Sequence, residues 1–126
     1  MAIFIPFGKR RELVTWTAET RAFFMQIADE VDNQPDVRVG LQRTGRLTVR
    51  PQIYVRRRLA VAGFDDGIAV RLNDGDKDRA LQIFACRELG RRDPLPVRRM
   101  VSMPWSTHER WREFIQAAVN DARNRA

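Results

Sequence analysis

The chain has 126 residues, of which 44% are apolar and 31% charged, and its net charge is +7. One ordinary domain of this length buries roughly two-thirds of its unfolded surface, so a single domain over residues 1–126 is expected, and no run approaches the roughly 20 apolar residues of a membrane span. Cys86 is the only cysteine, which excludes an intramolecular disulfide and a stapled secreted scaffold; a soluble protein of the reducing cytoplasm is the resulting expectation.

In chain order, Ala2-Ile3-Phe4-Ile5-Pro6-Phe7 lacks the basic start and the length of a secretory signal, so residues 1–16 read as an N-terminal arm or short edge strand. Thr17 suits a helix N-cap, and Phe24, Ile27, Ala28 and Val31 recur at helical spacing, which predicts a helix from about 18 to 32. Asn33 and Pro35 end it. The period then changes to two. Val37, Val39 and Leu41 alternate with Arg38, Gly40 and Gln42, and Leu47, Val49, Ile53 and Val55 follow the same rule, the pattern of a half-buried antiparallel sheet. Thr44-Gly45 suits the turn between these strands, and Pro51, with no amide to donate, implies an edge position or a break into two pieces.

A third strand, Leu59 to Phe64, and a fourth, Ile68 to Leu72, flank Asp65-Asp66-Gly67, a strong hairpin signal. A short helix capped by Asp74 or Asp76 follows, with Ala80, Leu81, Phe84 and Ala85 as its buried stripe. Gly90, Pro94 and Pro96 make residues 87–97 a loop. Arg98 to Met103 fits another strand, and Ser106-Thr107-His108-Glu109 reads as a capping box. It opens a last helix in which Trp111, Phe114, Ile115, Ala118, Val119 and Ala122 keep the helical period, with residues 124–126 as a fraying tail. The order α-β-β-β-(β)-α-β-α, with hairpin connections and no βαβ alternation, predicts an α+β fold: an antiparallel sheet of 4–5 strands with helices packed on one face.

Catalytic chemistry finds no constellation in this chain. His108, the only histidine, falls inside the capping box at the surface, and Cys86 follows an apolar stripe as a small core residue; together they cannot complete a four-ligand zinc site. Asp74, Asp76 and Asp78 imitate the start of a calcium loop, but Arg79 and Ala85 stand where that loop needs glycine and glutamate, so turn and cap roles are expected instead. No phosphate-binding or dinucleotide glycine motif occurs. The expectation is therefore no enzyme, no catalytic residue, no metal, no cofactor and no small-molecule ligand.

Charge is the remaining lead. Residues 36–72 carry 8 basic and 3 acidic groups, and residues 91–126 carry 8 and 4. Of the 23 basic residues 21 are arginine, which either a guanine- and cytosine-rich genome or a polyanion partner would produce. Strand alternation places Arg38, Arg50, Gln52, Tyr54, Arg56 and Arg71 on the face opposite the apolar one, with Arg56-Arg57-Arg58 at the adjoining turn. Arginines with an interleaved tyrosine can hold phosphates by bidentate contacts and stack a base; the same residues also suit a solvated face or an oligomer interface. Trp105 and Trp111 read as core anchors.

The segments Gln52-Ile53-Tyr54-Val55-Arg56-Arg57-Arg58-Leu59-Ala60, Asp66-Gly67-Ile68-Ala69-Val70-Arg71-Leu72 and Arg98-Arg99-Met100-Val101-Ser102-Met103-Pro104-Trp105 resemble the TfoX N-terminal domain family and the related MmcQ/YjbR-like proteins. The likeness covers residues 20–122 as an order of elements. It implies a compact, often self-associating α+β fold, in some members labelled DNA-binding, and brings no catalytic residues.

Two expectations follow: a small non-catalytic binding or regulatory module that takes nucleic acid on Arg38, Arg50, Tyr54, Arg56, Arg57, Arg58 and Arg71, and, as the alternative, a homodimeric structural or protein-interaction domain that binds no nucleic acid. Neither involves a membrane.

Overall fold

Thr17 opens the first helix as its spacing requires: its Oγ1 accepts from the Thr20 amide at 3.0 Å, and α1 runs Ala18–Val31 with Phe24, Ile27, Ala28 and Val31 buried. The computed structural model describes residues 16–44 and 48–125; the arm over 1–15 and the Gly45 side of the first turn lie outside them. Strands β1 (Val37–Thr44), β2 (Thr48–Val55), β3 (Arg58–Phe64) and β4 (Gly67–Val70) form an antiparallel meander, followed by α2 (Asp74–Leu81), β5 (Arg87–Glu88), β6 (Val101–Met103) and α3 (Trp111–Asn124). The sheet has six strands in the order β1-β2-β3-β4-β6-β5, one more than the upper expectation because β5 forms inside the predicted loop. Among the described residues no helix is long and apolar enough to cross a membrane.

Pro51 neither breaks β2 nor puts it at an edge. β2 is continuous opposite β1, with Leu41 facing Pro51, while its ladder to β3 begins at Gln52, so the missing amide falls where that ladder has ended. A bulge follows: Ile53 pairs with Val61 but Tyr54 with Leu59, leaving Ala60 unpaired, and Ala60 and Val61 both enter the core under the helices.

That core lies on one face of the sheet. Ile53, Val55, Val61, Ile68, Val70, Val101 and Met103 meet the buried stripes of α1 and α3, including Trp111, Phe114, Ile115, Ala118, Val119 and Ala122, all as expected from the last helix's period. The opposite face is only partly wet. Residues 89–100 fold back over it, burying Leu89, Val97 and Met100 against Ala62, Phe64 and Ala69 in a second cluster. The small side chains Ala62 and Ala69 leave room for this cover.

Four local expectations fail. α2 stops at Leu81 and Ala85 takes φ 77°, so Phe84 turns out of the supposed stripe and is 94% exposed, with only Ala80 buried within the helix. Its N-cap is Asn73 rather than Asp74 or Asp76. Arg99, at φ 70°, interrupts the strand expected from Arg98, which shortens to Val101–Met103. Ser106 caps nothing: a 3₁₀ segment over Trp105–Arg110 precedes α3, and Thr107 Oγ1 donates to Pro104 O at 2.7 Å.

The β3–β4 hairpin turns through Asp65-Asp66, with Gly67 paired to Phe64 as the first residue of β4. A Cβ on Gly67 would stand 2.8 Å from Pro104 Cα and closer still to the Met103 carbonyl oxygen, backbone that cannot give way, while one on Gly75 meets nothing. Gly67→Ala is therefore expected to cost about 1–3 kcal/mol in urea denaturation, and Gly75→Ala to be neutral or to stabilise α2 by up to about 1 kcal/mol. Equal effects of the two substitutions would contradict this packing.

Candidate polyanion-binding surface

Two-residue hairpins favour turns in which both central residues have positive φ, a conformation cheap for Asn-Gly and costly for side chains with a Cβ. The β2–β3 turn has this form, with Arg56 at φ 50° and Arg57 at φ 72°. Both are exposed. Cross-strand partners share a face, so Arg58, opposite the buried Val55, turns toward the helices and donates through Nη1 to the Arg125 carbonyl oxygen at the end of α3.

The same end of the sheet gathers further arginines. The end of β4 brings Arg71 beside β3, its amide donating to Ala60 O at 2.9 Å and its Nη2 to Pro96 O at 3.1 Å in the covering loop. The last turn of α3 brings Arg123 and Arg125. Arg123 grips Asp36 through Nε and Nη2 at 2.7 and 2.8 Å, and Arg56 Nε lies 3.4 Å from the same carboxylate. The hydrogen bond from Arg123 holds the Asp36 carboxyl below the usual aspartate range. Arg125 Nη1 donates to Asn73 Oδ1 at 3.0 Å.

The acid count at this end falls short. Asp36 is shared by Arg56 and Arg123, whereas among the described residues Arg57, Arg58, Arg71 and Arg125 have no carboxylate within ion-pair distance. Asp121 is buried and accepts from the Asn73 amide at 2.9 Å, and burial, aided by Asp76, pushes its carboxyl up. The surface is thus a cationic rim around one engaged carboxylate, suited to phosphate or carboxylate oxygens.

The residues expected on the sheet face are not all there. Arg38 is exposed opposite Tyr54, whose ring lies 3.6 Å from the Cβ position of Gly40 and whose hydroxyl donates to Gln52 Oε1. Arg50 departs from the expected face: its stem packs over Gly63 beside Trp16, at the edge of the helix-side core, and burial lowers the pKa of its guanidinium. Glycine at 63 has no side chain to hold Arg50 outward, a condition strand alternation does not register. Gln52 is buried opposite Ala62.

That loop supplies arginines which the alternation of strands does not reach. Arg91, Arg92, Arg98 and Arg99 are exposed, with Arg98 Nε donating to Asp93 O at 2.7 Å, and the Arg71–Pro96 contact makes them continuous with the arginine-rich end. The eight basic residues in 91–126 were the available signal.

Cys86 is half-buried and its thiol is pushed up by burial, which disfavours the reactive thiolate. His108 is not the surface residue expected: its ring stacks on Trp105 with centroids 4.1 Å apart and meets Phe23 edge-on at 5.2 Å, while Nδ1 lies 2.9 Å from Trp105 O. Trp111 is fully buried as expected, whereas Trp105 is only partly so. Among the described residues no group of three or more His, Cys, Asp or Glu side chains is placed to hold a metal ion.

Comparison with protein-family models, curated proteins and solved structures finds no match.

Asp36 gives this surface a pH signature. Its folded pKa is depressed, so its contribution to stability is present above the unfolded aspartate value and is lost as pH falls through the lower folded value. Asp36→Asn is expected to lower the melting temperature at neutral pH, with the gap to wild type closing as the pH is taken down through that range. A gap that stays constant into strong acid would contradict the Arg56–Asp36–Arg123 arrangement.

Proposed function

We propose that this chain is a small, non-catalytic binding module that takes the phosphate backbone of a nucleic acid on the arginine-rich end of its sheet, with Arg56 and Arg57 as the leading contacts. The observation that carries the reading is the turn itself. Arginine occupies both left-handed positions of a tight hairpin, where Asn-Gly would cost less, and strain kept at an exposed charged tip is understandable when the side chains are used. Arg58 and Arg71 flank the tip, and Arg91, Arg92, Arg98 and Arg99 extend it along the covering loop. Arg38 and Tyr54 border it on the open part of the sheet face. The likeness to the TfoX N-terminal domain family supports the same class of partner.

A second reading, a homodimer, is favoured by one observation. Among the described residues β1 pairs only with β2, leaving an eight-residue edge to which a second copy could add. Light scattering at high micromolar concentration separates the two: a monomer that binds nucleic acid supports the first reading, and a dimer that binds none supports the second.

The turn allows a test in which stability and binding move apart. Arg56→Asn with Arg57→Gly relieves two positive-φ arginines and is expected to raise stability by about 1 kcal/mol. The same pair of changes is expected to weaken binding of labelled duplex DNA or single-stranded RNA by fluorescence anisotropy, and to flatten the log–log salt dependence by about 0.9 on duplex or about 0.7 on single strands for each phosphate that the variant no longer neutralises. Wild-type affinity and salt slope in this variant, or no salt-dependent binding by the wild type, would refute the reading.

A further inference from the structure

Where α3 ends against β3 and β4, Arg58, Arg71 and Arg125 come together, and among the described residues no carboxylate lies within ion-pair distance of them. Arg125 spends Nη1 on Asn73 Oδ1 at 3.0 Å, but its Nη2 is buried and finds no hydrogen-bond partner among the described residues. Arg58 reaches in from the start of β3 to the Arg125 carbonyl oxygen, using one of its five N–H donors. Arg71 comes from the end of β4 and is anchored through Nη2 on Pro96 O at 3.1 Å, its one side-chain hydrogen bond among the described residues.

The electrostatics agree with the geometry. The Arg125 guanidinium has its pKa lowered by burial and by the neighbouring charges of Arg71 and Arg58, against one opposing carboxylate, Asp121. Asp121 is itself pushed up by burial, while its Oδ2 is already engaged by the Asn73 amide. A buried donor without an acceptor and a set of like charges are both unfavourable. One tetrahedral anion with several oxygen acceptors relieves both at once.

We propose that Arg58, Arg71 and Arg125 form a discrete seat for a single phosphate group, in which Arg125 Nη2 supplies the inner donor and Arg58 and Arg71 close over the outer oxygens. The seat rests on the nucleic-acid reading and deepens it by assigning one phosphate position on that surface. The same chemistry would hold a backbone phosphodiester, a terminal phosphomonoester or free phosphate.

The test uses the full chain at constant ionic strength, with sodium phosphate replacing sodium chloride, read by melting temperature and by ³¹P line broadening of the inorganic phosphate. A saturable rise in melting temperature and broadening is expected for the wild type. Arg125→Gln is expected to weaken phosphate binding by roughly tenfold or more, and Arg125→Lys to weaken it by less, since charge is kept and only the fork is removed. Arg112→Gln, on the solvent side of α3 where it pairs with Glu30, is expected to leave phosphate binding as it is. Should Arg125→Gln fold poorly, Arg58→Gln, altered at an exposed side chain, answers the same question. No saturable effect of phosphate over chloride, or equal effects in wild type and both glutamine variants, overturns the seat. Salt-dependent DNA binding without phosphate binding would overturn the seat alone and leave the broader surface reading standing. Phosphate binding that an unlabelled oligonucleotide fails to compete away would uphold the seat, assign it to free phosphate or a phosphomonoester, and count against the nucleic-acid reading.

Discussion

The burial of one face of the sheet under α3 is the constraint from which the rest follows. Trp111, Phe114, Ile115, Ala118, Val119 and Ala122 form an unbroken stripe on Ile53, Val55, Val61, Ile68 and Val70, and burying a residue such as Phe114 or Ile115 is worth about 2 kcal/mol. Seated this way, the helix ends at the mouth of the β2–β3 hairpin and beside the last residue of β4. Its final turn carries Arg123, and Arg125 caps it. This packing sets Arg123 and Arg125 beside Arg56, Arg58 and Arg71, while the loop arginines arrive with the cover on the other face. Ion pairs on the solvent side, such as Arg112 with Glu30 between α3 and α1, add little by comparison because both partners are exposed.

What the core forces together, the surface does not neutralise. Asp36 serves two arginines and Asp121 is buried and engaged by the Asn73 amide, so guanidinium groups outnumber the carboxylates that pair with them at this end of the sheet. The cost falls on local terms: two left-handed arginines at the turn and a buried donor on Arg125. Such costs are commonly placed where a chain meets a ligand. The same sheet end also explains why the charge is displaced from the flat face: residues 89–100 cover that face, and the arginines lie around its rim and on the cover.

Much of the fold was legible in the residues themselves. The helical periods at Phe24-Ile27-Ala28-Val31 and through α3, and the two-residue period at Val37, Ile53 and Val55, record which side of each element is dry, and the packing keeps those residues dry. The cover over the second face was not legible. Ala62 and Ala69 look like ordinary strand residues until Leu89, Val97 and Met100, distant in sequence, are seen to fill the space above them. The α2 stripe failed because periodicity continued on paper through Phe84, while the backbone had already left the helix at Gln82. Of the site residues, the turn arginines were readable from their place in a hairpin. Arg50 was not, because its position depends on the absence of a side chain at Gly63 on the neighbouring strand. Arg125 was beyond reach of local pattern, since its surroundings are made by β3, β4 and the start of α2.

A nucleic acid held at this arginine-rich end, rather than on the sheet face or along the β1 edge, is the central claim. Backbone amide NMR spectra recorded while duplex DNA is titrated into the labelled protein address it most directly. Shift changes concentrated at Arg56–Leu59, Arg71–Asn73, the residues flanking Pro96 and Arg123–Arg125 are the predicted result. Changes centred on Val37–Gly40 at the β1 edge or on α1, with the hairpin tip and the end of α3 undisturbed, would contradict it.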